Sequence, residues 1–151
     1  MACANELAID VVIQLCLDYL SAFDVNNAIL HYSIAENNGL NEIRDKAFIF
    51  IVDNFTDVSF TRHFLYLPFE RVMKIVSDKN LCVNSELDVF SAVVRWVNFD
   101  VRQRLMHGYQ LLDGINFENL PPESIVQEVE AVGWIINNPE CVKNYLYRAM
   151  K

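Results

Sequence analysis

Glycine and proline are scarce, with four of each in 151 residues. That scarcity argues against a many-turned β-sandwich and predicts helices joined by short loops. No apolar run approaches ~20 residues, so no membrane span is expected. The opening MACANELAID lacks a basic stretch, so no secretory signal is read. The four cysteines, Cys3, Cys16, Cys82 and Cys141, include no CxxC pair. All four read as reduced thiols of an intracellular protein, and Cys16 and Cys82 as small hydrophobes among apolar neighbours. Positive charge is also short. Twelve Lys and Arg face twenty Asp and Glu, for a net charge of −8. None of those cations precedes Arg44, whereas six acids do (Glu6, Asp10, Asp18, Asp24, Glu36, Glu42). Such a chain repels phosphate backbones, so nucleic acid is not an expected partner. The bland reading of the acids is a solvated surface, and the sharper one is a rim that favours a basic partner.

What is abundant is apolar: 53% of the residues, including ten Phe, six Tyr and two Trp. The length suits one domain, and a domain this size buries roughly 68–70% of its unfolded surface. The block NLCVNSELDVFSAVVRWVNFD (80–100) is the most informative. Ser85 starts a helix by accepting from a backbone N–H three residues on, with Asp88 at its positive end. Val89, Phe90, Val93, Val94, Trp96 and Val97 then recur at helical spacing. Phe90 and Trp96 read as core.

Similar reasoning places a helix from Leu7 to Leu20 and a second that starts near Asn26–Asn27, runs through Ala35, is capped by Asp24 or Asn26 and is ended by Asn37-Asn38-Gly39. A third spans Asn41 to Phe55, with a turn near Ser59–Leu65. Further helices are expected at Phe69–Ser77 behind Pro68, at Ser85–Asn98 and at Leu105–Leu112. One more opens at Pro121-Pro122, and a last at Asn138-Pro139 carries Cys141, Val142, Tyr145, Leu146 and Ala149. The expected fold is all-α, a single domain of eight or nine helices in successive antiparallel hairpins.

The first helix is unusual. Its polar residues Asp10, Gln14 and Asp18 make one narrow stripe, and nearly everything else is apolar. A helix apolar most of the way round is either central or missing a neighbour, and an N-terminal helix of a small domain is poorly placed to be central. With Val12, Cys16 and Leu20 assigned inward, Ile9, Val11, Ile13 and Leu17 remain for a partner. Tyr32 on the second helix joins them.

Reactive chemistry is hard to find. The glycines are isolated, so no phosphate-cradling loop forms. His31, His63 and His107 lack an i, i+4 partner or an HExxH context, and cysteine and histidine lack zinc-ligand spacing. No catalytic, cofactor or metal residue is assigned, and an enzyme is the last of the readings. Asn54-Phe55-Thr56 matches a glycosylation acceptor that an intracellular protein would leave unused.

Several pieces in order resemble a known family. They are Val12, Cys16 and Tyr19-Leu20; Asp24-Val-Asn-Asn27; Ala35 and Gly39; Asn54-Phe55 with Val58; and Phe64-Leu65-Tyr-Leu67-Pro68. Ser77-Asp78, Leu81-Cys-Val83-Asn-Ser85-Glu86, Val89-Phe90, Arg95-Trp96-Val97, Asp100 and Asn138-Pro139-Glu140-Cys141 follow. From about Leu7 onward the chain resembles the BACK domain of BTB–kelch proteins, with residues 1–6 read as an artificial start or short linker. Val25 stands where the family often has Pro, and Ile115–Leu120 replaces a Val-Arg-Leu-Pro-like segment. The resemblance implies a non-enzymatic module of a cullin-3 ubiquitin ligase adaptor, in which BTB binds cullin-3, kelch repeats bind substrate and BACK sets their separation. It implies that residues 7–38 form the so-called 3-box, which adds to the cullin contact. The implied partners are cullin-3 and the protein's own BTB domain, and the implied location is the cytoplasm, with the nucleus second. The alternative is a helical scaffold that packs on its BTB domain or another protein without touching cullin.

Overall fold

The computed structural model describes residues 3–146. The described residues form helices and connecting turns, without a strand. In order they are α1 (Cys3–Ser21), α2 (Ala28–Asn37), α3 (Asn41–Asp53), α4 (Phe55–Val58), α5 (Arg62–Leu65), α6 (Phe69–Val76), α7 (Glu86–Phe99) and α8 (Val101–Asp113). A 3-10 turn at Phe117–Asn119 leads to α9 (Pro122–Ser124), which runs into a π-helical turn at Ile125–Val129. Then come α10 (Gly133–Ile136) and α11 (Pro139–Cys141), the latter continuing as a π-helical turn at Val142–Leu146. Of the apolar residues expected on the last helix, Ala149 lies outside the described residues. The segments outnumber the expected helices because several are single turns, and α10 had no periodic signature long enough to read.

Local chemistry explains the boundaries. The Ser85 hydroxyl accepts from the Leu87 N–H at 3.1 Å, two residues on rather than three, while the Ser85 carbonyl accepts from the Asp88 N–H at 3.0 Å. Glu86 and Asp88 sit in the first turn, at the positive end of the helix dipole. Ser85→Ala is expected to cost about 1 kcal/mol, read as a lower urea midpoint with an unchanged slope. The Asp100 carboxylate accepts from the Gln103 N–H at 3.4 Å. It therefore starts α8 directly after α7, four residues earlier than the periodicity predicts. At the other end, the Asn138 side chain accepts from the Glu140 and Cys141 N–H groups at 3.0 and 3.4 Å, with Pro139 in the first turn as expected.

Between α2 and α3 the chain reverses at Gly39, whose φ of 70° is left-handed. The Leu40 N–H reaches back to the Ala35 carbonyl at 2.8 Å, closing the end of α2. At the start of α2, the Asp24 carboxylate accepts from the Asn26 and Asn27 N–H groups at 2.8 Å each. Asn27 in turn accepts from the Asp24 N–H at 2.8 Å. Asp24 thus organises the turn without the family's proline.

The core lies where α3 to α8 meet. Trp96, Phe55, Phe64, Phe90, Leu111 and Leu112 are fully buried within it. Phe55 and Phe64 meet edge to face at 6.0 Å, and the Trp96 indole N–H donates to the Leu67 carbonyl at 2.8 Å. Ile115 and Leu120 are buried too, so the segment that departs from the family pattern still packs on the core. A smaller cluster of Leu20, Ala35 and Ile43 ties the end of α1 to α2 and α3.

Candidate protein-binding face on the first helix

From Ala8 to Cys16 every side chain of α1 is exposed. Only its last turns reach the body of the domain. Leu20 is buried and Leu17 half-buried against the Leu20–Ala35–Ile43 cluster. His31 of α2 secures that attachment. It is wholly buried, and its Nδ1 lies 3.1 Å from the Leu20 carbonyl. The Tyr19 ring packs 5.0 Å from the imidazole and the Phe23 ring 6.1 Å from it. A histidine with no ligand pattern thus serves as an internal clamp.

Beyond the clamp, α1 projects without a neighbour among the described residues. Ile9, Val11, Val12, Ile13, Leu15 and Tyr19 are each between 51% and 66% exposed. At 100° per residue they cover an arc of roughly 200°, about twice the stripe by which a helix packs on one core. Gln14 donates to Asp18 at 2.9 Å along the polar stripe. Covering one aliphatic side chain is worth about 1.5–3 kcal/mol, so this arc is a large unused driving force. Between α1 and α3 lies a shallow groove of about 400 Å³, lined by Leu17, Leu40 and Ile43 with Asp18, Glu42 and Lys46 at its polar edge.

The structure places the sequence-derived residues unevenly. Ile9, Val11 and Ile13 stand on the exposed arc, and Leu17 at its root. Tyr32 is corrected: it is 2% exposed, because Ala28, Ile29, Tyr32 and Ala35 form the inward face of α2. Its hydroxyl accepts from Lys74 at 3.5 Å. Val12 and Cys16 are also corrected, since both are exposed where an inward position was expected. The reason is common to both: α1 does not lie flat along α2, so no inward side exists before its last turns. Cys82 is exposed as well, whereas Cys141 is buried and its thiol pushed up, first by burial and then by Asp113 and Glu140. Leu15 and Tyr19 belong to the exposed arc and were not singled out by spacing.

Among the described side chains the histidines and cysteines do not converge. His107 stacks on Phe69 at 4.3 Å, far along the chain from the His31 clamp. Among the described residues no three His, Cys, Asp or Glu side chains come together as metal ligands. Asn54 uses its side chain to donate to the Phe50 carbonyl at 2.9 Å, closing α3. Among the described residues no helix is long and apolar enough to cross a membrane.

An all-helical domain with a projecting apolar helix has the form of a protein-interaction module. Comparison with known proteins identifies the family. The family described as "BTB And C-terminal Kelch" (BACK) matches residues 28–130. The chain is 32% identical to Kelch-like protein 3 of Homo sapiens over 149 residues, covering 98% of this chain and 25% of that protein. It is 31% identical to Kelch-like protein 31 of Danio rerio over 142 residues, covering 93% and 22% respectively. With Kelch-like protein 17 of Mus musculus it shares 30% identity over 149 residues, covering 98% and 23%. The chain belongs to the BACK family. It spans about a quarter of the length of these relatives. The exposed arc of α1 precedes the residues that the family match covers.

Proposed function

We propose that this chain is the non-enzymatic spacer and interaction module of a cullin-3 ubiquitin ligase adaptor in the cytoplasm. In this reading it links a BTB domain to a substrate-binding domain, and its first helix adds to the cullin contact. The observation that carries the reading is the projecting apolar arc of α1. Its width supports two neighbours rather than one. The Ile9–Ile13 side and the Val11–Leu15 side are nearly opposite each other around the helix, so a BTB domain can take one and cullin-3 the other. The acidic stripe between them favours basic side chains on a partner.

The test uses the chain joined to its BTB domain. Ile9→Asp with Ile13→Asp leaves the fold intact, because both side chains are exposed and neither touches the Leu20 cluster. Leu17 is avoided because it packs on that cluster. The expected result is a loss of about tenfold or more in cullin-3 affinity by calorimetry, with unchanged circular dichroism. Val11→Asp with Leu15→Asp tests the opposite side. If neither pair alters cullin affinity while either loosens the BTB domain, as read by limited proteolysis, the scaffold alternative replaces the cullin reading.

A further inference from the structure

A second exposed aromatic surface lies away from α1, where the turn between α4 and α5 meets the α7–α8 corner. Phe60 is 67% exposed, Tyr66 60% and Phe99 46%. Arg95 and Phe99 stand four apart on α7 and share its outer face. The Arg95 guanidinium carbon lies 3.9 Å from the centre of the Phe60 ring. Tyr66 meets Phe99 edge-on at 5.2 Å, and the Arg104 guanidinium carbon lies 5.1 Å from the Phe99 ring. Rings and guanidinium groups therefore alternate along one strip.

The charge of this strip is opposite to that of the chain. Arg95 and Arg104 stand against these rings, Arg62 lies one helical turn before Tyr66, and the acids that act on the two ring-stacked arginines are Asp88 and Asp100. Asp100 is engaged by the first turn of α8. Among the described residues the ion pairs are Arg44–Asp45, Lys46–Glu42 and Arg71–Glu36, and none uses Arg62, Arg95 or Arg104. Burial pulls both the Arg95 and the Arg104 guanidinium below the ordinary value, with Asp88 and Asp100 opposing it only in part. The Nε of Arg95 is buried without an acceptor, although its Nη2 donates to Ser59 at 2.8 Å. Positive charge here is under-compensated, so an incoming carboxylate gains more than it would on an open surface.

Tyrosine, phenylalanine and arginine on one patch, with no lysine or glutamate among them, match the composition of protein-binding hot spots. Cation–π and edge-to-face contacts already hold the side chains in place, which lowers the entropy lost on binding. A polyphosphate is a poorer occupant, because it carries no apolar group to cover the exposed rings of Phe60 and Tyr66. We propose that this strip is a docking site for a short acidic peptide segment of a partner protein, with an aromatic or aliphatic side chain among its aspartates and glutamates. Its carboxylates pair with Arg62, Arg95 and Arg104, and its apolar side chain covers Phe60 and Tyr66.

The test selects a random peptide display library against the chain and measures enriched peptides by fluorescence anisotropy at low and high salt. Phe60→Ala and Arg62→Glu alter exposed side chains only, and circular dichroism checks that each variant folds. The expected result is enrichment of Asp- and Glu-rich peptides carrying Phe, Trp or Leu. Their affinity should fall about tenfold or more in each variant and weaken with salt. The proposal is overturned by no enrichment, by peptides without excess acid, or by affinity that the variants leave unchanged. Tighter binding of a single-stranded oligonucleotide at the strip also overturns it. So does self-association of the chain that Phe60→Ala abolishes, which would assign the strip to a second copy.

Discussion

Trp96→Ala is expected to destabilise the domain by about 3–5 kcal/mol, enough to leave much of a marginally stable chain unfolded. Three contacts carry that figure. The indole is 1% exposed and sits in the main core beside Phe64 and Val93. Its N–H donates to the buried Leu67 carbonyl at 2.8 Å, so removal leaves an acceptor unpaired. On its outer side the Arg104 guanidinium carbon lies 4.3 Å from the ring, and Arg104 also donates to the Trp96 carbonyl at 2.8 Å. Truncation thus opens a cavity, orphans a carbonyl and frees an arginine at once. Trp96→Phe separates these effects. It keeps most of the volume but not the hydrogen bond, and should cost about 1–3 kcal/mol. The measurement is urea denaturation of both variants by circular dichroism. An Ala variant with an unchanged midpoint would show that the core does not depend on this ring.

Gly108→Ala is the second large effect, and its sign is the point at issue. In an open helix the change would gain about 1 kcal/mol from helix propensity. Here α8 crosses α7 so closely that a Cβ at position 108 would lie 2.5 Å from Val97 Cγ2 and 3.6 Å from the Trp134 ring. Val97 is fully buried, and its branched side chain has one preferred rotamer in a helix, so it cannot swing away. Overpacking costs about 1–3 kcal/mol, which outweighs the propensity gain. The expected outcome is net destabilisation with Ala and a larger loss with Val. A double-mutant cycle decides the mechanism. In a Val97→Ala background the methyl of Gly108→Ala has room, and the substitution should become neutral or stabilising. If the cost persisted there, the close approach of α7 and α8 would not be its cause.

Much of this architecture is legible along the chain. The sparse glycine and proline and the recurrence of apolar residues gave an all-helical domain, and Ser85, Gly39 and Asn138 mark helix ends by their own chemistry, whereas periodicity misses the start of α8 at Asp100 because its apolar pattern begins only at Leu105. Trp96 and Phe90 read as core because their spacing puts them on a continuous apolar face. Tyr32 was misplaced although the signal was present: Ala28, Ile29, Tyr32 and Ala35 share one face of α2. Val12 and Cys16 were misplaced for a different reason. Periodicity tells which residues of α1 share a side, but nothing in it says that a helix leaves the body after two turns. The Phe60 strip was illegible for a third reason. Its residues come from a turn, a helix end and a corner, where no period operates.

By itself the sequence determined that α1 would be apolar over most of its circumference, because that follows from residue types at 100° spacing. It also determined the surplus of acid and the helix ends that Gly39, Ser85 and Asn138 mark. Only the tertiary structure decided which of those apolar residues are left uncovered. Burial depends on what comes to lie against a helix, and the clamp of His31 on the Leu20 carbonyl fixes α1 at its end alone. In the same way, arginines scattered over forty residues acquire a common purpose only once α5, α7 and α8 are folded onto one another.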